Sequence, residues 1–339
     1  MGWQQSLLRE AASDPKHIVL AEGEDERILD AAVLAASHGV AKITLLGREA
    51  VIKERLRQHR GAEIAVIEPE NHHHLQDYIA AYRKRRGARL KSDREAVTAI
   101  RDPLGFAAMM VRQGDADGTV AGAVATTADT IRAALRIIGR SPTAKLVSSF
   151  FLMLPNRDRK PFGSRIIFAD CALVVEPDAG ELADIAVSSA HSAESFLDRK
   201  PRIAMLSFST AGSGVHPRSE LVREATELAR QMRPDLEIDG EIQFDAAVDA
   251  ALRRRKAPDS LLGGMPNVFI FPNLDAANIG YKIAATVGGM TAVGPVLQGL
   301  AKPANDLSRG CKTEDILYLI AVTSLQAARG SRRAHLPYP

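Results

Sequence analysis

The segment from Gly299 to Ile316, "GLAKPANDLSRGCKTEDI", gathers a hydroxyl, a guanidinium, a thiol and a carboxylate on Ser308, Arg309, Cys311 and Asp315. Hydroxyl and guanidinium donors aimed at one point can stabilise a developing oxyanion, and a carboxylate can take up a proton. The polar run "AKPANDLSRG", punctuated by Pro, Asn, Asp and Gly, predicts a loop, and a helix is expected from near Thr313 with Asp315 in its first turn. Plain complementation of the helix dipole by Glu314 and Asp315 would explain the same acids, and composition alone does not choose. Cys311, between Gly310 and Lys312, would suit a thiolate nucleophile, but no histidine lies near it in sequence to act as its base.

A second stretch, "GAVATTADTIRAALRIIGR", has Thr126, Thr127 and Asp129 at a helix start directly after a strand. Such a start presents free backbone N–H groups and the positive end of the dipole, which suits a phosphate. Thr126 with Asp129 also fits a loose capping box, and an acid there would repel an anion. Arg132, Arg136 and Arg140 follow at every fourth residue, a stripe that is either a solvated face or a seat for a polyphosphate ligand. The basic runs "YRKRRGARLK" and "RRRK" read as solvated helix ends. His72, His73 and His74 are adjacent, so their side chains diverge, and a surface loop rather than a metal site is expected.

These groups sit within a regular alternation of elements. "HIVLA", a helix from Glu24 with Ile28, Ala31, Ala32 and Ala35 on one face, and "KITLLG" form a strand–helix–strand unit, which implies a parallel sheet covered by helices. Helix and strand continue to alternate to Gly139. "AKLVSSFFLML" and "SRIIFADCALVV" then read as a hairpin with the charged tip "PNRDRKPFG". Alternation resumes through "RIAMLSF", "EIDGEIQ" and "NVFIFP", with a single helix expected over "DAAVDAALRRR". "GRSPTAK" and "AVGPVLQG" read as linkers, and "EDILYLIAVTSLQAARG" as a buried helix. The expected architecture is two α/β/α domains with a crevice between them, where small-molecule sites tend to lie.

Composition narrows the function. At 46% hydrophobic and 25% charged, the 339 residues are those of an ordinary globular protein. The net charge of +3 is too small to argue for nucleic acid. Cys171 and Cys311 form no CxxC pair, which disfavours zinc and fits a reducing, cytoplasmic compartment. No apolar run is long enough to span a bilayer. "MGWQQS" matches the loose myristoylation pattern, but a short amphipathic helix explains it as well. G-x-G-x-x-G after the first strand and G-x-x-x-x-G-K-[ST] are both absent; "GSGVHP" fails at its third glycine. A dinucleotide or P-loop enzyme is therefore disfavoured.

The segments "AEGEDERILDAA", "DGTVAGAVATTADTIRAALRIIG", "IFADCALVVEPDAGELADIAVSSA", "MLSFSTAGS", "DGEIQFDAA", "NVFIFPNLDAANIGYKIA" and "GPVLQGLAKPANDLSRG" together resemble the phosphate acetyltransferases, in the family's order and over nearly the whole chain. The resemblance implies a fold similar to the isocitrate and isopropylmalate dehydrogenases. It implies a discontinuous first domain, 1–142 plus 297–339, around a second domain, 143–296. The implied reaction is acetyl-CoA plus phosphate giving acetyl phosphate plus CoA, and its reverse, in a homodimer, with neither metal nor cofactor in the transfer.

By position, Asp315 matches the proposed base for the CoA thiol, and Ser308 and Arg309 match residues at the reacting carbonyl and phosphate. Arg132 and Arg83 match arginines implicated in CoA binding, and Arg27 another arginine of the cleft; Thr126 and Thr127 are candidate substrate contacts. Ala133 stands where the family often has proline. An ordinary aspartate is a weak base for a thiol: reference values of about 3.9 and 8.5 lie about 4.6 units apart, roughly 6 kcal/mol. Either the proton leaves during attack or burial raises the carboxylate's pKa. Butyryl or other short-chain acyl specificity is the same-class alternative. A non-catalytic acyl-CoA-sensing domain is the different-class one, disfavoured because Ser308, Arg309 and Asp315 are all present.

Overall fold

The computed structural model describes residues 2–59, 61–155 and 165–333, with side chains to residue 330. In chain order the elements are α1 (Trp3–Ala12), β1 (Lys16–Leu20), α2 (Glu26–Ser37), β2 (Ala41–Leu46), α3 (Glu49–Leu56), β3 (Ile64–Ile67), α4 (Leu75–Arg86), α5 (Asp93–Arg101), α6 (Pro103–Gln113), β4 (Gly118–Ala121) and α7 (Thr127–Ile137). Then come β5 (Ser148–Pro155), β6 (Ile166–Ala169), α8 (Ala179–Phe196), β7 (Arg202–Leu206), α9 (Pro217–Met232), β8 (Glu237–Ile242), α10 (Phe244–Val248), α11 (Ala250–Lys256), β9 (Val268–Ile270), α12 (Leu274–Thr286), β10 (Met290–Gln298), β11 (Ala304–Asp306) and α13 (Thr313–Arg333). They divide into two compact units, Met1–Ser141 with Leu300–Pro339, and Pro142–Gly299.

The first unit is built on a five-stranded sheet in the order β11-β4-β1-β2-β3, parallel throughout. A parallel sheet needs cover on both faces. On one side Val19 and Ala121 join a core with Tyr78, Tyr82, Phe106 and Ile137 from α4, α6 and α7. α13 packs on α1, α2, β1 and β4. Its Ile316, Leu317, Leu319, Ile320, Val322 and Leu325 are all buried, each worth roughly 1.5–3 kcal/mol of burial. α2 begins at the Asp25 cap, whose carboxylate accepts from Arg27 N at 3.0 Å. It buries Ile28, Leu29, Ala31, Ala32 and Ala35, the face expected from their spacing. α1 buries Trp3, Leu7 and Ala11 at four-residue intervals, with Trp3 edge-on to Tyr318 at 5.0 Å.

The second unit carries a six-stranded mixed sheet in the order β10-β5-β6-β9-β7-β8. β5 and β6 form the expected antiparallel pair, Phe150 opposite Ala169; the charged tip, 156–164, lies outside the described residues. "AVGPVLQG", read as a linker, is instead part of the strand β10, antiparallel to β5 with a register shift between Val293 and Val296. Proline misled the reading: Pro295 is tolerated because β10 is an edge strand and the residue sits at the bulge. Gly294, at φ +154°, lies where a Cβ would come 2.9 Å from the Phe151 ring.

Other expectations also change. "DAAVDAALRRR" is two short helices, because Asp249 turns its carboxylate onto Ala251 N and Leu252 N and restarts the chain as α11. In "RRRK" Arg253 is buried and donates to Ala247 O at 2.7 Å and Gly264 O at 3.1 Å rather than to solvent. The "AKPANDLSRG" run is not all loop: residues 304–306 form β11, paired with β4 and buried although two of the three are polar. Asn305 donates to Thr323 Oγ1 at 2.8 Å and Gln326 Oε1 at 3.0 Å, which satisfies its amide there.

Candidate active site

β11, β4 and β1 are neighbours and parallel, so the loops that follow them leave the same edge of the first unit's sheet. Ligands of open α/β sheets bind at this carboxyl edge. The loop after β11 carries the Ser308–Arg309 turn. Leu307 N donates to Ala121 O at 2.7 Å, continuing the ladder to β4. Cys311 N closes the turn on Ser308 O at 2.9 Å, and Ser308 Oγ accepts from Gly310 N at 3.3 Å. Ser308 and Arg309 are exposed, and no hydrogen bond or ion pair engages the Arg309 guanidinium among the described residues.

α13 begins at Thr313, as expected, and Asp315 lies in its first turn. Asp315 Oδ2 accepts from Lys312 N at 2.9 Å, so the capping role is real. Its other oxygen has no protein donor among the described residues and is open to a further role. Cys311 lies between the turn and the helix, 7% exposed. Burial pushes its thiol pKa up, against the pull of Arg27; Asp315 and Asp25 push the same way as burial. That is the opposite of an activated nucleophile.

Arg27 joins these loops. Nη1 donates to Arg309 O at 2.8 Å and Cys311 O at 3.1 Å, and Nη2 to Ala123 O at 2.9 Å. Nε and Nη2 hold both oxygens of Asp25, at 3.0 and 2.9 Å. This guanidinium holds the Asp25 carboxyl below its ordinary value.

The loop after β4 leads into the helix start for which the sequence offers both a phosphate seat and plain capping. Its backbone amides already hold a carboxylate: Glu22 Oε2 accepts from Gly122 N and Ala123 N at 2.9 and 2.8 Å, and Oε1 from Val124 N and Ala125 N at 3.0 and 2.7 Å. Thr126 caps α7, accepting from Asp129 N at 3.2 Å and donating to Asp129 Oδ2 at 2.7 Å. Hydrogen bonds from Thr126 and then Arg132 keep the Asp129 carboxyl below its ordinary value. Thr127 is exposed at the first helical position. Gly122 has φ +109°, and a Cβ there would come 2.3 Å from Asp306 Oδ1, so only glycine lets β11 and this loop pass so closely.

Asp306 ends β11 at 1% exposure, and its Oδ1 has no hydrogen-bond partner among the described residues. Burial pushes its pKa up to about 6; the Thr127 and Thr130 hydroxyls and Leu307 N pull it back, and Glu22 pushes it further up. Neither Glu22 nor Asp306 was singled out from sequence. The signal available for Glu22 was the density of acids in "EGEDER" directly after a strand.

Arg132 is exposed and pairs with Asp129 within its own helix. Arg83, on α4, pairs through Nε with Asp93 at 3.0 Å. Among the described residues no hydrogen bond ties either arginine to the Ser308 turn. Exposed pairs of this kind contribute about 0–1 kcal/mol, so a phosphate could displace the acid from either one. Of the residues singled out by sequence, the structure thus joins Arg27 to the Ser308–Arg309 turn and sets Asp315 beside it. Thr127 interacts with the neighbouring Asp306 carboxyl, and Arg132 and Arg83 stand apart on their helices. Among the described residues no group of three or more His, Cys, Asp or Glu is placed to hold a metal ion, and no helix is long and apolar enough to cross a membrane.

Residues 3–324 match the family profile described as "Phosphate acetyl/butaryl transferase". The chain is 52% identical over 314 residues to a phosphate acetyltransferase of Paracoccus denitrificans, covering 92% of this chain and 95% of that protein. It is similar in structure to a phosphotransacetylase from Streptococcus pyogenes, with a TM-score of 0.89 and 41% identity over 97% of this chain and 100% of that one. A Salmonella typhimurium protein assigned as a 4-hydroxythreonine-4-phosphate dehydrogenase, 11% identical with a TM-score of 0.56 over 92% of this chain and 99% of that one, is alike in fold alone.

Proposed function

The chain belongs to the phosphate acetyl/butaryl transferase family, and on that premise we infer that it is a phosphate acetyltransferase, an acyltransferase that moves an acetyl group reversibly between CoA and inorganic phosphate. The observation that carries this reading is the identity to a phosphate acetyltransferase over almost the whole of both chains. The open Ser308–Arg309 turn beside Asp315 supports a mechanism of direct attack in a ternary complex. A phosphate oxygen attacks the thioester carbonyl, the C–S bond breaks, and the proton given up by the hydrogen phosphate passes by way of Asp315 to the thiolate, which leaves as CoA. In reverse, Asp315 receives the thiol proton as sulfur attacks acetyl phosphate. Ser308 and Arg309 offer donors to the tetrahedral oxyanion and the phosphate, the larger contribution in a water-poor site. Arg132 and Arg83 offer exposed cationic forks for the phosphates of CoA, and Thr127 the N–H of a helix start.

The transfer needs no cofactor and no metal in this mechanism, since the substrates supply both the leaving group and the nucleophile. A homodimer is proposed: Ile279, Ile283 and Val287, 59%, 56% and 82% exposed, repeat every fourth residue along α12 and just past its end, a stripe that a two-fold axis would place against its copy. The two free thiols, Cys171 and Cys311, fit a cytoplasmic setting.

The test is CoA release from acetyl-CoA. It should require phosphate or arsenate, continue in the presence of a chelator, and be faster with acetyl- than with propionyl- or butyryl-CoA. Binding of acetyl-CoA without phosphate-dependent release would point to an acyl-CoA sensor. Preference for butyryl-CoA would point to a phosphate butyryltransferase.

A further inference from the structure

A guanidinium has five N–H donors, and Arg27 uses all five within the protein. Two go to Asp25, one to Ala123 O, one to Arg309 O and one to Cys311 O. No donor is left for a substrate phosphate, which would have to break a bidentate ion pair or uncover carbonyls to reach it. Glu22 is used just as fully in the opposite sense, each oxygen accepting two amides of the loop 122–125. Both residues belong to the segment that follows β1, the strand beside β4 in the sheet. From there Glu22 grips the loop after β4, while Arg27 grips that loop and the one after β11.

We propose that Arg27 and Glu22 are positioning residues of the acyl transfer, holding the Ser308–Arg309 turn in register with the entrance to α7 without touching substrate. Arg27 acts through the carbonyls of Arg309 and Cys311, which fix the direction in which the Arg309 side chain leaves the turn. Glu22 acts by ordering four consecutive amides before Thr126, so that Thr127 and the Asp306 end of β11 keep a fixed separation. The proposal rests on the acetyltransferase reading for its kinetic consequences, but its structural content is independent of it.

The experiment compares the full chain with Arg27→Gln, Arg27→Lys, Glu22→Gln, Arg309→Gln and the double variant Arg27→Gln/Arg309→Gln. It measures phosphate-dependent CoA release and amide hydrogen exchange over 307–312. Arg27→Gln should lower kcat about 100-fold, the scale set by a misplacement of about 1 Å, with KM for CoA and for phosphate within about threefold. Added to Arg309→Gln, it should cost less than about tenfold more, because both changes act on one turn. Lysine keeps the charge but not the fork, so Arg27→Lys should not restore kcat; it serves as the folded alternative if Arg27→Gln does not fold. Glu22→Gln places an amide N–H₂ against backbone donors and should lower kcat with the same flat KM. In the Arg27 variants exchange over 307–312 should quicken by about tenfold or more, a local opening of the turn.

A rise in KM for CoA or phosphate of about tenfold with kcat unchanged would make Arg27 a substrate contact and overturn the proposal. Fully multiplicative effects with Arg309→Gln, wild-type kinetics, or unchanged exchange would overturn it too. An unsubstituted chain that releases no CoA on adding phosphate would defeat the acetyltransferase reading alone, and the exchange measurement would still decide whether Arg27 holds the turn.

Discussion

Asp315 accepts the backbone N–H of Lys312 through Oδ2 at 2.9 Å, so the residue proposed to take the thiol proton is also the one that pins the first turn of α13. The two duties separate in Asp315→Asn. The amide oxygen can keep the bond to Lys312 N, so the melting temperature should move by no more than about 1 kcal/mol of stability implies. Loss of the proton acceptor should lower kcat about 10²–10⁴-fold with little change in KM. A stable variant with near-normal turnover would remove Asp315 from the mechanism.

Cys311 is buried, with its thiol pKa raised. Cys311→Ala should keep most of the activity, and double-reciprocal plots with both substrates varied should intersect. Parallel lines, or an acetyl group trapped on sulfur, would establish a covalent route instead.

Arg132 is exposed and, among the described residues, held by Asp129 alone. As a contact to a CoA phosphate it contributes ground-state binding, so Arg132→Ala should raise KM for CoA more than it lowers kcat. A flat KM with a collapsed kcat would place Arg132 at the reacting carbonyl.

Asp306 gives a pH-dependent stability. Its folded pKa of about 6 lies above the ordinary 3.8, so the folded state binds the proton more tightly. The stabilisation is full below about pH 3.8 and is lost as pH rises to about 6, a change on the order of 3 kcal/mol. Asp306→Asn removes the ionisation, together with the repulsion from Glu22. Its melting temperature relative to the parent should therefore climb between pH 4 and about 6.5 and then level off. A difference independent of pH would mean that Asp306 is already neutral, or equally charged, in both states.

Much of the fold was legible because burial follows simple periods. The run "HIVLA" is continuously apolar after its first residue, as a strand covered on both faces must be, the face Ile28, Ala31, Ala32, Ala35 repeats at helical spacing, and they fold as β1 and α2. Legibility failed where polar or ring residues are buried. Asn305 and Asp306 are buried on the edge strand β11, where α13 side chains hold Asn305 and α7 hydroxyls reach Asp306, so a strand looked like a loop. Pro295 looked like a break and is a bulge on an edge strand. At the site, residue types were readable but not their commitments. Sequence shows that Arg27 is an arginine; only the positions of Asp25, Ala123, Arg309 and Cys311 show that its donors are all engaged. The amides before Thr126 looked open to phosphate because nothing local reveals that Glu22, about a hundred residues earlier, already occupies them.

The pairing of β11 with β4 has a consequence for synthesis. Residues 142–299 form a contiguous unit that can collapse as soon as they leave the ribosome, since domains generally fold as units during translation. The sheet begun by β1 must wait. Its edge strand and the long helix that covers β1 and β4 are made only after the whole intervening unit, and closing so long a loop makes that pairing intrinsically slow. Until then Ile18, Val19 and Val120 stand on an unfinished template with an open strand edge. The nascent chain is therefore most exposed to chaperones, proteases and self-association over the part of the first unit that precedes the second, and the turn bearing Ser308 and Arg309 is delivered only after that second unit is made.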